Sequence, residues 1–473
     1  MSSESGSGNL EKIDTIVVVM LENRSFDHML GYLSLEKGRR DVDGLRAEVG
    51  NEHAGRRYPV HHLESTRVKE DPDHSADAVD VQIGDGRMDG FVASCDAALR
   101  SSGFHDGDPG VAMGYYNGAD VPVYDHLAEE FAVCDRWFSS VPGATLPNRL
   151  YSLCGCAAGS RDDMAPHVPP IYHQASFLRH LDAHEVPWRW YSFDPGTLRL
   201  ADVRYRLGHQ DQFAYFSKTG LPWKTALDIT TSSKTASFLE DAARGTLPSV
   251  SWIDPAFTNF NPLGFTVCDD HAPADIKDGQ DLILAVYNAL ADSPQWERSL
   301  LVITYDEHGG FFDHVAPPQA VDDDPEEFGR YGVRVPAIIV SPWVQPSSVS
   351  HELFDHTSII KTILSRFCPE ALHDSQRPNG ARGLLNVGRP QYLGARVAAA
   401  NHLGALLSAT KPRTAPPRDA LIRDATERTS TAPTGDPESN RVAPASPQLT
   451  DLQKRILAAS NELVRLGHPA GAP

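Results

Sequence analysis

The 473-residue chain has no apolar run long enough to cross a bilayer, and a membrane-spanning helix needs about 20 such residues. Its first stretch, MSSESGSGNLEK, holds neither a basic n-region nor an apolar h-region. The expectation is therefore a protein without a secretory signal, located in the cytoplasm. Positive charge is in deficit: 43 Lys plus Arg stand against 63 Asp plus Glu, a formal net charge of -20. That balance repels polyanions, so nucleic acid is not an expected partner. Cysteine is scarce and scattered, with six in all, at 95, 134, 154, 156, 268 and 368. The CxC of LCGCAAG lacks the second pair that a zinc site of ordinary spacing requires, and the six are read as reduced, buried thiols.

What is present alternates between two patterns. Short apolar runs suited to buried strands occur in KIDTIVVVML (12–21), PWRWYSF (187–193), PSVSWI (248–253), SLLVITY (299–305) and VPAIIVS (335–341). Helical periodicity fits SFLRHLDAH (176–184), GQDLILAVYNALAD (279–292) and HTSIIKTILSRF (356–367). Alternation of this kind predicts an α/β fold with a central, mostly parallel sheet covered on both faces. Residues 34–120, rich in Gly and Asp, read as long loops over that sheet. The expected organisation is a catalytic domain over 12–408, a linker rich in Pro, Thr and Ser over 409–447, and a C-terminal amphipathic helix over 448–467.

The chemistry gathers where apolar strands end. After VVVML come Glu22, Asn23, Arg24, Ser25, Asp27 and His28; after SLLVITY come Asp306, Glu307, His308, Gly309 and Gly310. Open α/β sheets bind ligands at the carboxyl ends of their strands. Glu22, Asn23, Asp306 and Glu307 together would be a cluster of oxygens whose mutual repulsion calls for a cation, with Ca, Mg, Mn and Zn all open. A hydroxyl lies in GATLPNRLY, where Pro147 predicts a helix beginning near Thr145. A hydroxyl at a helix N-terminus meets free N–H groups and the positive end of the dipole, which suits an alkoxide or a phosphate. Read on its own, Thr145 is an N-cap, and Ser139 and Ser140 are competing hydroxyls before the turn. Among the 20 histidines, His74 in EDPDHSADAV, His271 in CDDHAPADIKDGQ and His356 in FDHTSIIK stand beside acidic groups or helix starts.

These motifs, ENRSFDH, GATLPNRLY, DDHAPADIKDGQ and TYDEHGGFFDHV, with RMDGFV, FAVCDRWFSS and FDHTSI between and after them, resemble the phosphoesterase family in order from about Ile13 to Phe367. That family contains non-specific phospholipases C and a bacterial acid phosphatase, and is related in fold to alkaline phosphatases and sulfatases. The resemblance implies an alkaline-phosphatase-like three-layer sandwich. It also implies a divalent metal ion held by Glu22, Asn23, Thr145, Asp306 and Glu307, with Thr145 as nucleophile and His74 and His271 at the phosphate. Asn148, Arg149 and His308 are the expected substrate contacts, and His308 and His314 also stand as metal ligands or as orienters of the carboxylates. Ala144 and Phe312 depart from the Pro and Tyr frequent in the family. The T-L-P-N-R sequence cannot form the aldehyde of sulfatases, which comes from a Cys or Ser.

The resulting expectation is hydrolysis of a phosphate ester through a phospho-threonine, with phospholipase C-type cleavage of a phospholipid first. A phosphomonoesterase acting on a soluble metabolite and a non-catalytic phosphate binder are the alternatives. Either His271 or His74 protonates the leaving alcohol.

Overall fold

The first apolar run becomes a strand because Val, Ile and Leu follow one another without a polar break. β1 (Thr15–Leu21) is buried along its whole length, as a strand covered on both faces must be. In a computed structural model, residues 8–102, 107–163, 172, 174–194, 196–217, 235–258, 267–373, 392–423, 456 and 458 are described. The other principal strands are β2 (Ala132–Cys134), β3 (Trp188–Ser192), β4 (Phe213–Tyr215), β5 (Val250–Ile253), β6 (Ser299–Tyr305), β7 (Ala337–Val340) and β8 (Ser348–Ser350). They form one sheet in the order β8-β2-β7-β6-β1-β5-β3-β4. Only β7 runs against its neighbours, β6 and β2; every other pairing is parallel. The expected α/β fold with a mostly parallel mixed sheet therefore holds.

β1 lies between β6 and β5, and its register with β6 pairs Leu21 with Tyr305. Each buried Val, Ile or Leu of these strands contributes about 1.5–3 kcal/mol, so the centre of the sheet is strongly stabilised by burial. The two central strands end level with each other at the same edge.

Four helices bear on that edge. α1 (Phe26–Leu30) follows β1 at once and is capped by Ser25, whose hydroxyl accepts from the His28 N–H. α2 (Thr145–Cys154) is buried over its whole length and ends at Gly155, which has φ +69° and would press a side chain into the Leu393 carbonyl. α3 (Ile276–Ala291) is capped by Asp275 and packs on β6 and on the helices Pro122–Glu130 and Phe238–Arg244. α4 (Thr357–Phe367) packs on α2 and on the helix Ala395–Ala399.

Two readings of organisation need correction. Residues 34–120 hold a hairpin, Gly50–His53 with Arg56–Pro59, and two helices, Ala76–Ile83 and Phe91–Ser102. The glycines of the GDG turn between those helices, both at positive φ, break the periodicity that would have revealed them. Residues 409–423, expected as the start of a linker, run along the body. Ala409 N–H donates to the Trp343 carbonyl, and Arg413 bonds to the carbonyl and carboxylate of Glu130. The remainder of the expected linker lies outside the described residues, as does the C-terminal helix apart from Ile456 and Ala458.

Candidate active site

Because Leu21 pairs with Tyr305, the next residues of the two strands, Glu22 and Asp306, emerge side by side. The Asp306 N–H donates to the Leu21 carbonyl at 3.1 Å, which carries the ladder one step past the strands. Asn23 then turns into the left-handed region, with φ +62°, a conformation that costs a non-glycine residue about 1–3 kcal/mol and clusters at functional sites. The turn is held by two contacts. The Asn23 N–H donates to Asp306 Oδ1 at 3.0 Å, and Gly309 packs so closely that a Cβ there would lie 2.2 Å from the Asn23 carbonyl.

The expected nucleophile joins this cluster from α2. Thr145 is the first helical residue; Ala144 holds the N-cap position, and no side chain caps the helix. The Thr145 hydroxyl is thus released from the capping role that the sequence alone suggests. It lies 3.3 Å from Glu22 Oε2 and 3.4 Å from Asn23 Oδ1. Both distances exceed the roughly 2.7 Å usual between hydroxyl and acceptor oxygens.

Several site atoms are left without hydrogen-bond partners. Asp306 Oδ1 accepts from the N–H groups of Asn23 and Glu307, and Glu307 Oε2 accepts from the Gly309 N–H. Asp306 Oδ2, Glu307 Oε1 and Asp269 Oδ2 are buried and accept no hydrogen bond among the described residues. Burial first, then Asp306 and Asp269, push Glu22 well above its ordinary range against the pull of Arg149. Burial raises Asp306 as well, and lifts Asp269 to about 7. Orphaned carboxylate oxygens, an amide oxygen and a hydroxyl are the donor set of a hard divalent cation. Oxygens about 3–3.4 Å apart are also the spacing of neighbours around one such ion. Glu22, Asn23, Thr145 and Asp306 offer oxygens of this kind, and beside them Asp71, His74 and His271 bring their ligand atoms within 4.8 Å of one another, a second group that could hold an ion.

The histidines stand on the other side of the Asn23 amide. Asn23 Nδ2 donates toward His74 Nε2 at 3.1 Å and His271 Nε2 at 3.3 Å, while its Oδ1 faces Thr145. His74 Nδ1 donates to the Pro72 carbonyl at 2.9 Å, which leaves Nε2 as the acceptor in the neutral ring. Burial opposes charge on His74, but Glu307 and Asp71 outweigh it and raise the ring to about 10. A cation on Glu307 would relieve that pull. His271 Nε2 is also 3.3 Å from Asp71 Oδ2. The loop carrying His271 is clamped to β1: Arg24 donates Nε and Nη2 to the Asp270 carbonyl, and the Glu22 N–H donates to the Asp269 carbonyl.

The expected substrate contacts have different surroundings. Asn148 has its whole amide engaged with the preceding loop: Nδ2 donates to the carbonyls of Val141, Gly143 and Ala144, and Oδ1 accepts from the Val141 N–H. It shapes the approach to Thr145 and has no donor left for a substrate. Arg149 is buried and directs Nε to Glu22 Oε1 at 2.6 Å and Nη2 to the carbonyls of Met20 and Leu21. It also lies 3.7 Å from Asp306 Oδ2 and 3.9 Å from Asp254 Oδ1. Its charge is committed to the cluster's own carboxylates. His308 bonds Gln82 Oε1 at 2.7 Å and sits 3.2 Å from Glu307 Oε2, so it orients that carboxylate. His356 donates Nε2–H to the Asp306 carbonyl at 2.5 Å and, by burial, is pushed down to about 4; it braces the strand end as a neutral ring. His314 belongs elsewhere, with Asp27, Asp43 and Arg334.

Three acidic residues were not assigned roles from the sequence. Asp71 lies in an acidic stretch that resembles any solvated loop. Asp254 follows β5 directly, so the strand-end rule that singled out Glu22 and Asp306 would have found it. Asp269 was noticed only as a neighbour of His271.

Residues 13–368 match the Phosphoesterase family model. The chain is 35% identical over 378 residues to non-specific phospholipase C6 of Arabidopsis thaliana, covering 75% of this chain and 68% of that protein. It is 30% identical over 410 residues to phospholipase C B of Mycobacterium tuberculosis, covering 76% and 74%. A solved phosphonate monoester hydrolase of Agrobacterium radiobacter overlaps 75% of this chain and 73% of its own, with 10% identity and a TM-score of 0.35.

Proposed function

The chain belongs to the Phosphoesterase family and is a phosphoric ester hydrolase, and from that premise we propose that it cleaves a phospholipid in the manner of a phospholipase C, through a covalent phospho-threonine on Thr145. The observation that carries this reading is the position of the Thr145 hydroxyl, at the start of a buried helix and facing Glu22 Oε2 and Asn23 Oδ1. The lipid substrate is supported by relatives that are named phospholipases C.

Thr145 Oγ1 attacks phosphorus in line with the alcohol oxygen that leaves. The Oγ1–P bond forms, the P–O bond to the apolar alcohol breaks, and Glu22 Oε2, the carboxylate oxygen beside the hydroxyl, takes its proton. The departing alcohol takes its proton from His74 or His271, whose Nε2 atoms converge on Asn23. Water then attacks phosphorus, the P–Oγ1 bond breaks, the same histidine accepts the water's proton, and Glu22 returns its proton to Thr145 Oγ1. A divalent cation on Glu22, Asn23, Thr145, Asp306 and Glu307 would neutralise phosphoryl oxygens and lower the hydroxyl's pKa. Arg149 aims the Glu22 carboxyl and opposes the rise that burial gives its pKa, and Asn148 fixes the loop that presents Thr145.

The test offers a phosphocholine diester and simple phosphomonoesters to the purified protein, with acid-quench mass spectrometry of the peptide containing Thr145. Diester turnover with a phosphoryl adduct at Thr145 is the expected result. Turnover of monoesters alone would favour the acid-phosphatase alternative, and turnover without any adduct would make water the direct nucleophile.

A further inference from the structure

Ile456, far beyond the catalytic residues in the chain, is buried to 2% exposure in a small apolar cluster with Leu146 and Phe257, with Tyr172 packed against it. This cluster is separate from the main core. Both of its buried partners adjoin residues of the candidate site. Leu146 follows the nucleophile directly in α2, and Phe257 lies under the guanidinium of Arg149, 4.9 Å from its ring centre. A second internal group stands at the same place: Asp163 Oδ1 accepts from the Leu146 N–H at 2.9 Å. An apolar side chain and an anion from elsewhere in the chain thus meet the residue next to Thr145.

An apolar wall and an anion-accepting N–H beside a nucleophile have the two characters of a phospholipid, a hydrocarbon part and a phosphate. Resting on the reading above, we propose that Leu146, Phe257 and Tyr172 form the subsite for the apolar alcohol portion of the substrate, and that Ile456 occupies this subsite in the unliganded protein as an internal competitor. The substrate must displace Ile456 to bind. Its apparent affinity is lowered by the fraction of molecules in which the subsite is already filled. A small phosphate ester without an apolar part reaches Thr145 without that competition.

The test uses the full-length chain carrying Ile456→Asp, which disfavours the side chain's return to an apolar pocket, and Ile456→Leu, which preserves it. Kinetics are measured on a monomeric short-chain phosphatidylcholine and on glycerol 2-phosphate, which has no apolar part. The expected result for Ile456→Asp is a KM for the lipid lower by roughly threefold to tenfold, with glycerol 2-phosphate kinetics unchanged and Ile456→Leu resembling the parent. An unchanged lipid KM, or an equal loss on both substrates with a lowered melting temperature, overturns the proposal and makes Ile456 ordinary packing. Calorimetric binding of a short-chain diacylglycerol separates the two readings. Tighter binding by Ile456→Asp supports the subsite even if neither ester is turned over, a result that would defeat only the catalytic reading. Unchanged diacylglycerol binding overturns the subsite itself.

Discussion

Arg149 Nε lies 2.6 Å from Glu22 Oε1, one turn along the helix from the Thr145 hydroxyl that faces the other oxygen of the same carboxylate. One helix thus supplies both the proposed nucleophile and the cation that holds the carboxylate beside it. Burial disfavours the charge of Arg149, but Glu22, Asp306 and Asp254 outweigh that penalty and raise its pKa. Removing one partner of a buried pair leaves an uncompensated charge, at a cost of about 3–5 kcal/mol. Arg149→Met should lower stability by about that amount in chemical denaturation, with Arg149→Lys recovering part of it. An unchanged denaturation midpoint for Arg149→Met would show that the pair contributes nothing.

Thr145→Ala separates covalent chemistry from structure. Ala144 is the N-cap, so the hydroxyl closes no helix end, and stability should change by less than about 1 kcal/mol. Turnover should fall by on the order of 10³-fold or more, with Thr145→Ser retaining part of it. Near-parental turnover by a folded Thr145→Ala protein would return Thr145 to a packing role.

Removal of divalent ions has a structural as well as a kinetic readout. Glu22, Asp306 and Asp254 surround a single arginine, and buried oxygens of Asp306, Glu307 and Asp269 accept no hydrogen bond among the described residues. Chelation should abolish turnover and lower the melting temperature, and adding back a divalent ion should restore both. Asp306→Asn should bind the ion more weakly. Full activity in protein shown by elemental analysis to be free of metal would rule out the cation.

A pH effect is expected away from the site. His314 bonds Asp27 Oδ2 and Asp43 Oδ1, and although burial pulls its pKa down, these carboxylates raise it to about 10. A raised histidine pKa means the folded state binds the proton more tightly. The resulting stability is fully present below about 6.5, the unfolded value. It is lost as pH rises toward about 10. Denaturation midpoints should fall between pH 6 and pH 9 by more in the parent than in His314→Gln. Equal falls would remove His314 from the explanation.

Gly309 offers a purely steric test. At φ +63° and with Asn23 so near, Gly309→Ala must both strain its own backbone and push Asn23 out of its turn. Activity should drop sharply while the main sheet stays intact, which circular dichroism and kinetics would read together. Unimpaired turnover would mean that the Asn23 turn tolerates displacement.

Much of this protein was legible in its residues. Apolar runs with no polar interruption located β1, β3, β5, β6 and β7, and the span of SLLVITY coincides with β6. Strand ends that pass straight into Glu22–Asn23 and Asp306–Glu307 marked the site, because only ligand chemistry or a cation makes such crowding of carboxylates tolerable at the edge of a core. Pro147 marked the start of α2 to within two residues. These features are local: they follow from backbone geometry and from which side chains avoid water. The direction and partner of each polar side chain were decided only in three dimensions. Asn148 and Arg149 adjoin Thr145 in sequence, yet one is bound to its own loop and the other to Glu22, 127 residues away. Asp71 and His271, 200 residues apart, meet because the loop before the helix Ala76–Ile83 and the loop before α3 converge. The register of Leu21 with Tyr305 sets that edge, and strand pairing depends on the packed sheet as a whole, which no single segment encodes.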